Sequence, residues 1–351
     1  MSGDSDRQAR PTLATVAASA GVSVATVSKV LNGRSDVAAA TRIIVQEVLQ
    51  QHNYMRSYPQ RPDAAASPTV EVEIDGALAA YSCEVVQGVI DAGSAEGVAI
   101  VVSSHVGGAG NRPRERPSVW ARSLASSGRR GLIAVTSQLT DDHLTALTTM
   151  AKIPLVVVDP MNMPRARVTS VGSTNFAGGL TATQHLLSLG HRRIGYVGGY
   201  QAAACNQARV SGYRAAMEGA GAPILPGYVT TGPFDYDNGV TMGTAMLGLT
   251  EPPTAIFAAC DEIALGVIEA ARSRGLNVPH DISIVGFDDT QVARMAAPPL
   301  TTVRQPLREI GGVALRTALR LASGETIESH HVELATTLII RGSTAPAAAG
   351  T

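Results

Sequence analysis

The segment Leu13-Ala14-Thr15-Val16-Ala17-Ala18-Ser19-Ala20-Gly21-Val22-Ser23-Val24-Ala25-Thr26-Val27-Ser28-Lys29-Val30-Leu31-Asn32 decides how the start of the chain folds. Leu13 to Ala20 reads as a short helix stopped by Gly21. Ser23 is placed to cap a second helix over Val24 to Leu31, which Asn32-Gly33 ends with a residue suited to the left-handed cap. Two short helices around a tight glycine turn form a helix-turn-helix. Ala17, Ala18 and Ala20 let the helices approach, and Val16, Val22, Val27 and Leu31 supply a small core. The outer face of the second helix then carries Val24, Ala25, Ser28 and Lys29. In such a motif this helix enters the DNA major groove. Lys29 can donate to guanine O6 and N7, Val24 or Ala25 can touch a thymine methyl, and Thr26, Ser28 and Asn32 can hold phosphates. An ordinary three-helix packing unit is the other reading of the same pattern.

Working outward, a third helix is expected over Ala38 to Gln51, with Ile43, Val45, Val48 and Leu49 as its apolar positions. Arg56 to Thr69 carries Pro59, Pro62 and Pro68, which oppose a regular helix and mark a linker. Charge follows the same division. Residues 1–62 carry seven Arg or Lys against four acids, or +3, which leaves −4 on the remainder of a chain whose formal charge is −1. A modestly basic head on an acidic body points to an anionic partner for the head alone.

From Val70 onward, short β-branched runs alternate with helical stretches. The expected strands are Val70–Ile74, Val98–Val102, Gly131–Val135, Pro154–Val158, Arg193–Val197, Thr254–Ala258 and Ile282–Gly286. Apolar runs spaced by amphipathic helices imply parallel sheets covered on both faces, and a segment of this length favours two doubly wound lobes over one. Glu71 and Glu73 are unusual for a strand inside such a sheet. A long polar loop is expected over 105–118.

Several classes are disfavoured. At 45% apolar and 16% charged residues the chain is no disordered polymer. No run approaches the roughly 18 apolar residues of a membrane helix, and Met1 to Pro11 has no apolar segment of a secretion signal, so a cytoplasmic address without membrane association is expected. Cys83, Cys205 and Cys260 are too far apart in sequence for a disulfide framework or a zinc site. His185 and His191 do not share a helix face, and His330 and His331 point to opposite sides of a strand, so no metal is expected. Neither lysine follows a glycine-rich phosphate loop, and no nucleophile elbow or dinucleotide fingerprint is present, so neither a cofactor nor an enzyme is expected.

Residues 12–54 resemble the headpiece of the LacI/GalR family of bacterial repressors, through Val16-Ala17, the run Ala20 to Gly33, Thr41-Arg42 and Asn53-Tyr54. The body continues the resemblance in family order: Leu189 to Gly195, Arg209-Val210-Ser211-Gly212-Tyr213, Val285 to Asp289, and Pro299 to Pro306. The resemblance implies an N-terminal all-α helix-turn-helix headpiece (1–55), a linker (56–69), and a two-lobed α/β effector and dimerisation domain (70–345) of the periplasmic sugar-binding fold. The chain would cross between lobes three times, with an N-lobe of about 70–172 and 303–331 and a C-lobe of about 173–299 and 332–344. It implies a homodimer reading a near-palindromic operator under control of a small sugar. Arg61 stands for the arginine of the family's hinge helix, but Pro62-Asp63 fills the region of its minor-groove wedge and Pro59 interrupts the helix. The tail Ser343 to Thr351 has no heptad that would extend a dimer to a tetramer.

By the same resemblance Asp159 and Asp288, each at the end of an expected strand where doubly wound sheets bind ligands, match effector-contacting acids. Arg209 matches the effector arginine and Phe234 the aromatic that stacks on the sugar ring. Tyr81 and Ser137, in loops after strands, complete the candidates. Cys260 stands where the family often has a polar side chain before Asp261, which makes that corner less polar. Val157-Val158-Asp159-Pro160 and Pro298 to Leu307 look most like branches tied to xylose or other plant-polysaccharide sugars. The rival reading is a sugar-binding protein or α/β enzyme whose headpiece is only an interaction module.

Overall fold

The computed structural model describes residues 12–31, 34, 37–52, 68–105, 116–136, 139–161 and 168–348. It divides into two units, Met1–Ala65 and Ala66–Thr351. Residues 56–67 of the expected linker, with Arg61 and Pro62-Asp63, the segment Asn53-Tyr54, Asn32, and most of the 105–118 loop lie outside the described residues, while Thr69, placed at the end of that linker, already belongs to a strand.

In the first unit α1 (Leu13–Ser19), α2 (Val24–Leu31) and α3 (Ala39–Gln51) close around Val16, Ala17, Val27, Val30, Val45 and Val48. Thr12 and Thr15 form a reciprocal capping box at α1. Ser23 caps α2 as expected: its Oγ accepts from Thr26 N at 3.1 Å and pairs with Thr26 Oγ1 at 2.9 Å. Val30 joins the core, whereas Ile43 does not: it is 56% exposed, turned to solvent with Ile44 because Val45 and Val48 take the inward face.

The second unit holds two six-stranded sheets. The N-sheet comprises β1 (Thr69–Asp75), β2 (Ala99–His105), β3 (Arg129–Val135), β4 (Leu155–Val158), β5 (Thr169–Ser173) and β11 (His331–Leu334), in the order β11-β5-β4-β3-β1-β2. The C-sheet comprises β6 (Ile194–Val197), β7 (Val229–Thr230), β8 (Ala255–Ala258), β9 (Ser283–Asp288), β10 (Thr301–Arg304) and β12 (Thr337–Ile339), in the corresponding order β12-β10-β9-β8-β6-β7. Every pairing is parallel except β10 with β12. The doubly wound, two-lobed α/β architecture expected from the sequence is therefore present.

The chain passes from one sheet to the other after β5, after β10 and after β11. Two of these points differ from the expected lobe boundaries: Thr301–Arg304 stays in the C-sheet and His331–Leu334 in the N-sheet, so the crossings follow Arg304 and Leu334. The crossings are tied together. Thr174 Oγ1 lies 3.0 Å from both Thr336 Oγ1 and Thr336 N, and Ser173 Oγ donates to Gln305 Oε1 at 2.5 Å.

The flanking helices pair across glycines. α7 (Asn175–Ser188) lies on α8 (Ala204–Gly219), and a Cβ on Gly212 would fall 2.3 Å from Phe176 O. In the N-lobe α4 (Ala80–Glu96) meets α12 (Leu307–Ala322), and a Cβ on Gly311 would fall 2.2 Å from Val85 O. α9 (Tyr236–Leu247) meets α10 (Asp261–Ser273) in the same way at Gly239 and Gly266. Absent side chains thus set helix backbones in direct contact. Of the β1 glutamates, Glu71 accepts from Arg129 Nε at 2.8 Å and Ser103 Oγ at 2.7 Å, and Glu73 is buried.

Candidate functional site

In the head, the Ser23 cap fixes where α2 begins, and helical periodicity then turns Val24, Ala25 and Lys29 outward, with Val24 46% exposed. Thr26 and Ser28 are half-buried, Thr26 with its hydroxyl engaged by Ser23. Lys29 lies in the last turn of α2, where a cation complements the helix dipole. His52 Nε2, just after α3, lies 2.8 Å from Ser19 Oγ at the end of α1, which joins the third helix to the first. α2 itself is held through Val27 and Val30 and leaves a small, mixed apolar and cationic outer face.

In the body, a cleft of about 390 Å³ opens between the lobes at the C-terminal ends of the strands. Five of the six expected effector residues line it: Tyr81, Asp159, Arg209, Phe234 and Asp288. The sixth, Ser137, lies outside the described residues. Asp159 follows β4 and Asp288 ends β9, and both have left-handed backbones, φ 42° and 111°. Thr136, after β3, shares the feature at φ 50°, which is costly for a β-branched residue and is held by its neighbours. Tyr81, in the first turn of α4, donates its hydroxyl to Asp159 Oδ2.

Arg209 is nine-tenths buried and more. Nε donates to Asn175 Oδ1 at 2.8 Å, Nη1 to the Ala259 carbonyl at 2.6 Å, and the guanidinium lies 3.8 Å above the centre of the Phe287 ring. Nη1 is 3.8 Å from Asp288 Oδ1, and Asp288 Oδ1 also accepts from Gln305 Nε2 at 2.6 Å. Burial pushes the Asp159 and Asp288 carboxyls up from the ordinary carboxylate range, with Arg209 opposing the shift in both. Phe234 fits because Gly199 opposite it has no side chain; a Cβ there would fall 2.1 Å from the ring. Tyr200 meets Phe234 edge to face at 6.2 Å between centroids.

Other cleft residues had no assigned role in the sequence. Asp261 is a brace: Oδ2 accepts from Thr290 N and Oγ1, and Oδ1 from Thr302 Oγ1 at 2.6 Å. Burial outweighs these bonds and pushes its carboxyl up to about 7. Cys260 Sγ accepts from Ile263 N at 3.5 Å and so caps α10. Burial also raises the Cys205 thiol to about 11, which keeps it protonated. Glu262 Oε1 accepts from Ala80 N at 3.1 Å, a bond from one lobe to the other at the start of α4, whose N-cap Ala79 supplies no side-chain bond. Asn175 and Gln305 hold the arginine and the acid; Gln305 stood within a recognisable run, but nothing in the run revealed its partners.

Residues 12–57 match the model for bacterial regulatory proteins of the lacI family, and residues 183–344 match that for a periplasmic binding protein-like domain. Catabolite control protein A of Priestia megaterium is 32% identical over 341 residues, covering 95% of this chain and 99% of its own. This chain belongs to the LacI family. The HTH-type transcriptional regulator CelR of Thermobifida fusca is 33% identical over 345 residues, covering 96% of this chain and 99% of its own. Among solved structures, a CelR–cellobiose complex is similar with a TM-score of 0.70 and 32% identity, covering 95% of this chain and 100% of the other. A lac repressor dimer bound to operator and the anti-inducer ONPF has a TM-score of 0.70 and 26% identity, covering 95% and 99%. As a LacI-family member the chain is a DNA-binding transcriptional regulator and not an enzyme, which removes the rival reading of the headpiece as a mere interaction module. Among the described residues no single helix is long and apolar enough to cross a membrane.

Proposed function

We propose that this chain is a cytoplasmic repressor that binds a near-palindromic operator as a homodimer and is released when a small sugar occupies the interlobe cleft. One observation carries the effector reading: Tyr81 and Asp159 from the N-lobe, and Arg209, Phe234 and Asp288 from the C-lobe, converge on one cleft. Carboxylates accept paired hydroxyl bonds, the arginine donates, and the aromatic ring faces sugar C–H groups. A ligand touching both lobes favours one lobe angle and shifts operator affinity only by its differential affinity for the two states. The CelR–cellobiose relative favours plant-polysaccharide-derived sugars, xylose-type ones included, as the effector class. In the head, Lys29, Val24 and Ala25 are assigned to base edges, and Thr26, Ser28 and Asn32 to phosphates, with Arg61 supporting them.

The test is calorimetry with pentoses, hexoses and their short oligomers on wild type and Asp288→Ala. Wild type binds at least one sugar and Asp288→Ala loses it while keeping operator affinity; unchanged binding in the variant, or none by wild type, overturns the site. For the head, Lys29→Ala weakens operator binding by about 1–3 kcal/mol with a smaller effect on random DNA. An equal loss on random DNA would reassign Lys29 to phosphate.

A further inference from the structure

The contacts that hold two of the effector residues lead out of the cleft to the points where the chain changes lobe. Asp288 Oδ1 accepts from Gln305 Nε2 at 2.6 Å, and Gln305 follows β10 at the second crossing. Gln305 Oε1 accepts from Ser173 Oγ at 2.5 Å, and Ser173 ends β5 at the first crossing. The Ser173 carbonyl accepts from Asn175 Nδ2 at 3.1 Å, Asn175 Oδ1 accepts from Arg209 Nε at 2.8 Å, and Arg209 Nη1 returns to Asp288 Oδ1 at 3.8 Å. Ser173, Gln305, Asp288, Arg209 and Asn175 thus close a ring, and every member is buried. Thr174, between two of them in sequence, joins the third crossing through Thr336.

The two amides fix the sense of the ring. Asn175 reversed would set its NH2 against the Arg209 N–H and its oxygen against the Ser173 carbonyl, and Gln305 reversed would set its oxygen against the Asp288 carboxyl. In a buried site, bonds lost in this way are not replaced by water. Asp288 and Arg209 therefore shift at low cost only if Gln305, Asn175 and Ser173 shift with them. The widest link is the one between Asp288 and Arg209, at ion-pair rather than hydrogen-bond distance, and a hydroxyl bound to both would draw them together. We propose that Asn175 and Gln305 are positioning residues that tie occupancy of the cleft to the lobe crossings, and so to operator affinity. Contiguous hydrogen-bonded networks with two arrangements can carry such coupling between distant sites.

This rests on the cleft being the effector site, and the experiment separates the two. Full-length protein is titrated with operator DNA selected from random sequence, with and without whichever of xylose, glucose and cellobiose wild type binds most tightly. Saturating sugar weakens operator binding of wild type on the order of 10-fold. Gln305→Met, of similar length but without the amide, keeps its sugar-free operator affinity and still binds sugar by calorimetry, while the sugar effect falls to about 2-fold or less. Asn175→Asp, which keeps the acceptor for Arg209 and loses the donor to Ser173, does the same and decides the matter if Gln305→Met does not fold. Thr302→Val is the control: Thr302 is buried in β10 and donates to Asp261 Oδ1 at 2.6 Å, outside the ring, so its loss leaves the sugar effect at the wild-type value. A full sugar effect in sugar-bound Gln305→Met or Asn175→Asp, an equal loss in Thr302→Val, or sugar binding to wild type without any change in operator affinity overturns the coupling role and leaves the sugar site standing. Failure of all three sugars to bind wild type overturns the effector reading and this inference with it.

Discussion

In the C-lobe Tyr213, Tyr196, Phe257 and Phe287 form a row of buried rings, with successive centroids 5.6, 5.3 and 6.4 Å apart, and Arg209 lies on the last of them. The N-lobe has the same strand order, yet its main core consists of buried Val, Ile, Leu and Ala, with Tyr81 only partly buried at its edge. Beside that core lie two smaller clusters, around Leu132 and Leu147 and around Leu139 and Leu144. One topology therefore supports two kinds of cleft wall. Rings have few rotatable bonds and large contact areas, so the C-lobe presents Arg209 and Asp288 from a stiff platform. The N-lobe presents Tyr81 from the first turn of α4 and Asp159 from the end of β4, over a core without buried rings.

The strongest challenge to this contrast is Phe287→Ala, which removes the ring under Arg209. It costs about 3–5 kcal/mol of C-lobe stability by urea denaturation, as large aromatic truncations do. A loss below about 1 kcal/mol would mean that the row of rings is not what stiffens this wall. Next come Gly212→Ala and Gly311→Ala, equivalent intrusions at helix pairs of the two lobes, each in the range of about 1–3 kcal/mol for overpacking. Gly212→Ala costs more, because the ring-filled lobe yields less; equal costs would break the comparison. Glu262→Ala removes the bond to Ala80 N and acts between the lobes. Stability falls by about 1 kcal/mol or less, and small-angle scattering shows wider lobe separation without ligand.

A change of a different kind is in pH dependence. Asp261 has its carboxyl raised to about 7 by burial, so the folded chain holds a proton that the unfolded chain has already released. Stability therefore falls as pH rises from about 4 to about 7. In Asp261→Asn that decline is shallower, measured as the difference in unfolding free energy between pH 4.5 and 7.5. An unchanged slope would place the effect on the other buried acids, Asp159 and Asp288.

Strands with continuous apolar runs were legible because burial on both faces leaves a local mark. Thr169–Ser173 was not, although it is interior: its sequence TSVGS is small and polar, and Gly172 leaves room for Asp159, with a Cβ falling 2.8 Å from that carboxylate. His331–Leu334 and Thr337–Ile339 end their sheets, where a fully apolar run is not required, and this blurred two lobe boundaries. In the site, Asp159 and Asp288 showed themselves by following strands, whereas Arg209 and Phe234 needed the family resemblance. Asn175, Gln305 and Glu262 were hidden because their partners are remote: Gln305 and Ser173 are 132 positions apart, and Glu262 and Ala80 are 182 apart. Ile43 misled because an apolar side chain on a short helix need not face inward.

The interleaving of the lobes imposes an order in time on a growing chain. The three head helices are complete once Gln51 has been made, while β12, which pairs with β10, begins about 285 residues later. At synthesis rates of about 5–20 residues per second this interval lasts roughly 15–60 s. Neither sheet is complete until late, since the N-sheet waits for β11 and the C-sheet for β12. Every newly made copy therefore passes through a period in which the three helices of its head are complete and its two sheets are not.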